Sequence, residues 1–133
     1  MEGSIKELSV YRFEKAKEDL LTSKILLDQQ MFKASINRAY YAMFHAMRAV
    51  TVLHGFDSSK HSGIIANFNQ KYVKEGIFNK EASKIIKGAY MLREKSDYED
   101  FYIASRKETE EQLKNAEKFI QIIEQYLRKE DVI

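Results

Sequence analysis

Apolar side chains recur every three or four residues along most of the chain, which is the spacing of one face of an α-helix. This pattern predicts a first helix over about residues 4–29, a short break over 30–33 and a second helix over about 34–54. Gly55 follows the second helix, at the position where a left-handed glycine commonly ends a helix. The apolar residues of the first helix are Leu8, Phe13, Ala16, Leu20 and Leu27.

The second helix is the least polar segment of the chain. Its apolar positions are Ile36, Tyr40, Tyr41, Met43, Phe44, Met47, Val50 and Val52. A helix that is apolar around most of its circumference is expected at the centre of a bundle. This apolar surface exceeds what four short neighbouring helices would readily cover, so we also expect the protein to be a homodimer.

The C-terminal half of the chain predicts three more helices. The third runs over about residues 60–75 and is closed by Gly76, and the fourth runs over about 79–95 with Asn79 as its N-cap. Residues 96–104 lose the helical period and are expected to form an ordered loop. Ser105 followed by Glu108 is a capping box that begins the last helix, which extends to about Leu127. We therefore expect an all-α fold of five helices in a single domain over residues 1–133.

Composition agrees with this expectation and excludes several classes of protein. The 133 residues include no Cys and no Pro, and only 5 Gly. The absence of Cys excludes disulfides, thiolate metal sites and cysteine nucleophiles. Apolar runs are too short to span a membrane, and the acidic first twenty residues do not resemble a signal peptide, so we expect a soluble cytoplasmic protein.

The charge distribution is uneven although the net charge is only +2. Seven basic residues and three acidic ones lie between Lys71 and Lys95, and three acids follow at Asp97, Glu99 and Asp100. Such a cluster is most often a solvated helix face. The alternative is a flank that faces phosphate groups beside an acidic loop.

The three histidines, His45, His54 and His61, do not have the spacing of metal ligands on a helix. Glycine-rich phosphate loops are also absent from the sequence. We therefore expect neither a metal site nor a bound cofactor.

Candidate chemistry is concentrated on the second helix, at Arg38, Tyr41 and His45. Arg38 and His45 are seven residues apart and so lie within about 20° of one line along the helix, with Tyr41 between them. Arg can bind two phosphate oxygens, and His can exchange a proton near neutral pH, which together suit metal-independent attack of an RNA 2′-hydroxyl on its phosphate. The alternative is that Arg38 pairs with a carboxylate of another helix and His45 is a packed ring.

A second group of candidate residues lies at the predicted end of the fourth helix. Asp97 is four residues after Arg93 and could pair with it, which would hold the loop and present Tyr98. An ion pair that anchors the loop, with a buried tyrosine, is the simpler interpretation, and a catalytic role is the other.

Several sequence blocks resemble the HEPN superfamily, the small helical domains named for nucleotide binding in higher eukaryotes and prokaryotes. The resemblance begins at N-R-A-Y-Y-A-M-F-H-A over residues 37–46 and continues through Lys60-His61-Ser62-Gly63 and R-x-x-x-D-Y over residues 93–98. It is most similar to the stand-alone prokaryotic branch and covers nearly the whole chain.

The resemblance implies an up-and-down bundle of four to five helices that forms a homodimer. It also implies a toxin-like role beside a minimal nucleotidyltransferase, with Lys60, His61, Tyr41, Arg93, Asp97 and Tyr98 as candidate nucleotide or RNA contacts. Several members are metal-independent ribonucleases with an R-x(4–6)-H motif, and in some a Tyr just after that His is adenylylated. Tyr98 is the corresponding candidate here.

The chain departs from that motif in one place. Asp97 stands where the His is expected after Arg93, whereas Arg38 and His45 satisfy the spacing on an earlier helix. Two functions therefore remain open. One is an RNA- or nucleotide-binding protein with ribonuclease activity carried by Arg38 and His45, and the other is a non-catalytic dimeric adaptor that positions a partner enzyme.

Overall fold

Five α-helices account for most of the computed structural model, which describes residues 2–133. They are α1 (Glu2–Asp28), α2 (Phe32–Thr51), α3 (His61–Phe68), α4 (Lys80–Tyr98) and α5 (Arg106–Lys129). A 3₁₀ turn (Val52–His54) extends α2, and a π-helical turn (Asn69–Val73) extends α3. No β-strand occurs among these residues, so the all-α prediction is confirmed.

The predicted helix ends that depend on local capping are confirmed. The Asn79 side chain accepts a hydrogen bond of 2.9 Å from the backbone N–H of Glu81 at the start of α4. Ser105 and Glu108 form a capping box at the start of α5. Gly55 has a φ of 83°, a left-handed conformation that favours glycine because it lacks a Cβ.

Two predicted boundaries are wrong, at the ends of α3 and α4. The α-helix α3 ends at Phe68, and the chain continues as the π-helical turn instead of a regular helix to residue 75. The fourth helix includes residues 96–98, which the sequence pattern assigned to a loop. Ser96 is buried against the core and Asp97 pairs with Arg93 one turn earlier, so both support a further helical turn.

The central position predicted for α2 is confirmed, because α1, α3, α4 and α5 all pack against it. Small residues allow α1 and α2 to approach closely in antiparallel directions. Ser9 donates a hydrogen bond of 2.6 Å to the carbonyl of Ala49, and Ser23 donates one of 2.8 Å to the carbonyl of Ser35. The serine hydroxyls replace water as hydrogen-bond donors to these buried carbonyls. Each hydrogen bond therefore contributes about 1 kcal/mol to the stability of the fold.

The apolar side chains of α2 are covered within the single chain. Tyr40, Met43, Phe44 and Met47 are each at most 4% exposed, and Tyr41 is half-buried. The argument that this helix needs a second chain to cover it is therefore wrong, because α1, α4 and α5 already do so. Within residues 2–133 no helix combines the length and apolar character needed to cross a membrane.

Candidate functional site

Arg38, Tyr41 and His45 lie along one face of α2, as their spacing predicts. The Arg38 guanidinium carbon is 4.8 Å from the centre of the Tyr41 ring, within the range of a cation–π contact. The Tyr41 and His45 ring centres are 6.0 Å apart. The side chain of Arg38 is 35% exposed and that of His45 is 15% exposed, so the arginine is the more accessible of the two.

A carboxylate of α1 contacts both Arg38 and His45. One oxygen of Asp19 is 3.1 Å from Nη1 of Arg38, and the other is 3.5 Å from Nε2 of His45. Asp19 is itself largely buried, with 14% of its side chain exposed. This geometry matches the alternative in which Arg38 pairs with a carboxylate of another helix.

The imidazole of His45 is neutral at pH 7. The pKa of His45 is lowered to about 4, mainly because the ring is buried and also because the cations of Lys15, Arg48 and Arg38 lie nearby. Asp19 favours the protonated ring, but Arg38 already neutralises that carboxylate. A neutral ring can accept a proton, although a pKa this low makes it a weak base at neutral pH.

The predicted pair of Arg93 and Asp97 is confirmed on α4. Nε of Arg93 is 3.0 Å from the Asp97 carboxylate, and Nη1 is 3.4 Å from the carboxylate of Glu94. The Arg93 side chain is only 14% exposed. Its charge is therefore held in a fixed place beside α2.

The structure brings the α2 and α4 residues together. Arg93 donates a hydrogen bond of 3.2 Å from Nη2 to the Tyr41 hydroxyl. Asn37 accepts hydrogen bonds from Nε and Nη2 of Arg38, at 3.2 and 2.8 Å, and its amide nitrogen is 3.5 Å from Asp97. We refer to Asn37, Arg38, Tyr41, Arg93 and Asp97 as the α2–α4 cluster.

His61 adjoins this cluster at the start of α3. Its ring stacks on Phe44 at 4.1 Å and meets the Tyr41 ring edge-on at 5.5 Å. The Tyr40 hydroxyl is 2.8 Å from Nδ1 of His61, and burial lowers the pKa of His61. Lys60 is exposed at the N-cap of α3, and its side chain makes no hydrogen bond or ion pair with the described residues of the cluster.

Tyr98 lies on the last turn of α4 and not in a loop. Its side chain is 70% exposed, and its ring centre is 6.0 Å from the Arg93 guanidinium. Tyr98 is therefore beside the cluster but accessible from outside the molecule.

Asp57 binds two arginines and so has a structural role. It accepts hydrogen bonds from Nη1 and Nη2 of Arg12, at 3.2 and 2.9 Å, and one of 2.9 Å from Arg48. The bonds from Arg12 are the main reason that the pKa of Asp57 is lowered to about 2. Across residues 2–133, no group of three or more His, Asp and Glu side chains is placed to hold a metal ion.

Sequence reasoning missed Asp19 and Asn37. Asp19 follows charged residues on α1, so the sequence alone suggests an exposed position. Only the packing of α1 on α2 places it between Arg38 and His45. Asn37 precedes Arg38 in the block over residues 37–46. A polar side chain next to an arginine is the one sequence signal that could have indicated its role in the site.

Comparison with known proteins gives consistent matches. A family model described as "HEPN domain" matches residues 9–126. A "UPF0332 protein" of Thermotoga maritima is 32% identical over 117 residues, which cover 88% of this chain and 89% of the relative. A protein of Methanocaldococcus jannaschii named "putative toxin" is 34% identical over 119 residues, covering 86% of this chain and 85% of the relative. A second protein of that organism with the same description is 26% identical over 120 residues, covering 90% and 82%.

Proposed function

Because the chain belongs to the HEPN domain family, we propose that it is a toxin-like protein that binds RNA or a nucleotide at the α2–α4 cluster. The observation that carries this proposal is the meeting of two guanidinium groups at one aromatic ring. Arg38 and Arg93 come from different helices, and their guanidinium carbons are 4.8 and 5.5 Å from the centre of the Tyr41 ring. The toxin-like role is supported by the names of two relatives.

The cluster has the groups that a phosphate ligand needs. A guanidinium can donate two parallel hydrogen bonds to phosphate oxygens, and an aromatic ring can stack on a base. In the free protein Asp19 pairs with the guanidinium of Arg38, and Asp97 pairs with that of Arg93. Binding would therefore be an exchange in which a phosphate takes the place of a carboxylate, most readily at Arg38, which is the more exposed arginine.

The same residues define how RNA would be cleaved without a metal. Arg38 would stabilise the charge that develops on the phosphate, and neutral His45 would accept the proton of the 2′-hydroxyl. The O2′–P bond would form as the P–O5′ bond breaks, and water would protonate the departing 5′ oxygen. Asp19 must move away from Arg38 for this step, because its carboxylate occupies the position that the phosphate requires.

A non-catalytic adaptor is the second candidate function, and one observation favours it. Both arginines of the cluster already have carboxylate partners in the free protein. In this case the cluster would be a structural network, and the protein would act by positioning a partner. For either function we propose that the protein is a homodimer and that its partner is a minimal nucleotidyltransferase.

Substitution of Asp19 distinguishes ligand binding from a structural network. Asp19→Asn removes the charge that competes for Arg38, so we expect fluorescence anisotropy to show at least threefold tighter binding of a single-stranded RNA 12-mer. Arg38→Gln should weaken binding about tenfold, as loss of a charged hydrogen bond predicts. Arg128→Gln is the control, because Arg128 is exposed on α5 and pairs with Glu124. RNA affinity that is the same in all three variants would favour the adaptor.

Cleavage is tested separately with a 5′-labelled RNA incubated in EDTA. We expect activity to persist without divalent metal and to be lost in both Arg38→Gln and His45→Gln, while the circular dichroism spectrum remains helical. Activity that EDTA stops, or that survives both substitutions, would contradict the assigned residues.

A further inference from the structure

Four lysines lie in one exposed row along α4. Lys80, Lys84, Lys87 and Lys95 are separated by three, four or eight residues, so they lie on one face of the helix. All four are exposed, as are Met91 and Tyr98, which share this face. We call the four lysines the α4 lysine stripe. It extends about 22 Å from Lys80 to Lys95 at the rise of an α-helix.

The stripe keeps its positive charge because the acids of α4 are paired with other cations. Glu81 forms an ion pair with Lys118 of α5. Glu94 and Asp97 both pair with Arg93. Among the described residues, none of the four stripe lysines forms an ion pair with a carboxylate, so four positive charges face outward from one helix.

We infer that the α4 lysine stripe binds the sugar–phosphate backbone of a single RNA strand that leads to the α2–α4 cluster. This inference rests on the proposed function, because it assumes that RNA is the ligand of that cluster. The stripe ends one turn from Tyr98, whose ring is 6.0 Å from the Arg93 guanidinium. A strand that follows α4 would therefore arrive beside the cluster.

The composition of this face favours RNA over an acidic protein. Lysine carries a compact charge on a flexible stem and suits phosphates at varied spacing, whereas the centres of protein interfaces are depleted in lysine. The side chains of Met91 and Tyr98 are 61% and 70% exposed between and beyond the lysines. They offer apolar and aromatic surfaces on which bases can stack, as single-strand binding surfaces do.

The test compares two triple variants that remove the same charge. The stripe variant combines Lys80→Gln, Lys84→Gln and Lys87→Gln. The control variant lies on α5, where lysines alternate with glutamates, and combines Lys107→Gln, Lys114→Gln and Lys129→Gln. Fluorescence anisotropy measures the affinity for a single-stranded RNA 12-mer of mixed sequence between 50 and 300 mM salt.

We expect the stripe variant to bind at least tenfold more weakly at 100 mM salt, with the α5 control within twofold of wild type. Each single-strand phosphate contact contributes about 0.7 to the slope of log affinity against log salt, so the slope should fall by about 2. Tyr98→Ala should weaken binding several-fold without changing the slope, because stacking releases no counterions.

Two results separate this inference from the proposed function. If the stripe variant binds RNA as tightly as wild type does, the stripe is not an RNA surface. The same conclusion follows if the stripe variant loses only a complex with an acidic protein partner. In both cases the proposed function stands. If wild type does not bind RNA at any salt concentration tested, this inference fails, and the proposed function stands only with a nucleotide as the ligand.

Discussion

The imidazole of His45 is held in a place that opposes its protonation. Its side chain is 15% exposed, and burial lowers its pKa to about 4. In the unfolded chain the His45 ring binds a proton near pH 6.5. As the pH falls, the unfolded state therefore becomes protonated at His45 before the folded state does. Stability contributed by neutral His45 is therefore complete above pH 6.5 and is lost progressively down to pH 4. The loss amounts to about 3 kcal/mol at 1.36 kcal/mol per pKa unit.

We predict that His45→Gln will flatten the pH dependence of stability between pH 6.5 and pH 4. Urea unfolding at several pH values should show a smaller fall in midpoint for this variant than for wild type. His54→Gln is the control, because His54 is exposed. An NMR titration that finds the His45 resonance changing near pH 6.5 would contradict the assigned environment.

We propose Tyr98 as the tyrosine that a partner nucleotidyltransferase would modify. Its hydroxyl would attack the α-phosphorus of ATP and release pyrophosphate, and Arg93 and Lys95 would pair with the added phosphate. The side chain is 70% exposed at the end of α4, which gives a partner enzyme access.

We expect mass spectrometry, after incubation with a cognate nucleotidyltransferase and ATP, to find one adenylyl group on the peptide spanning residues 94–106. Tyr98→Phe should abolish the label. Tyr11→Phe, at a tyrosine of α1 that is 63% exposed, should retain it. A label on another tyrosine would transfer the role, and no label at all would favour the adaptor function.

At the scale of elements, Asp57 ties the segment after α2 to α1. Arg12 of α1 is 10% exposed and donates two hydrogen bonds to this carboxylate, and Arg48 of α2 donates a third. Asp57→Ala leaves Arg12 without its partner, so we expect the free energy of unfolding to fall by about 2 kcal/mol in urea titrations. Asp100→Ala, at an exposed carboxylate, should change it by less than about 0.5 kcal/mol. Equal effects would show that the ion pairs of Asp57 do not contribute.

Helix ends differ in how well the sequence predicts them. Gly55, Asn79 and Ser105 carry their own signals, because a left-handed glycine and an N-cap side chain act within a few residues. The end of α4 depends on Ser96 facing the core, which requires knowledge of the packing. Polar residues at 96–98 suggested a loop, and burial of one of them reverses that interpretation.

The candidate site shows the same division between local and non-local information. The α2 face and the pair of Arg93 with Asp97 are predictable from spacing along the sequence, although the pattern assigned Asp97 to a loop. Asp19 comes from α1, and the hydrogen bond from Arg93 to Tyr41 joins residues that are 52 positions apart. Contacts of this kind depend on how the helices cross, which periodicity does not determine.

At the scale of the whole molecule, the two most exposed large apolar side chains of the described residues lie in the loop over residues 99–105. Phe101 is fully exposed and Ile103 is 86% exposed. Phe101 also has a φ of 62°, a left-handed conformation that costs an L residue about 1 kcal/mol. A loop that holds two large apolar side chains in water, one of them in a strained conformation, gains stability when another surface covers them.

We therefore predict that the interface of the proposed homodimer includes this loop and not α2, whose apolar residues are already buried. Light scattering after gel filtration should give a dimer for wild type and a monomer for Phe101→Ser combined with Ile103→Ser. The matched control is Leu21→Ser combined with Ile25→Ser on α1, which removes two side chains that are 60% and 53% exposed and should leave the dimer intact. A wild-type monomer throughout the micromolar range would exclude the dimer. A dimer that only the α1 variant disrupts would place the interface on α1, because the loop would then contribute no contact that the assembly needs.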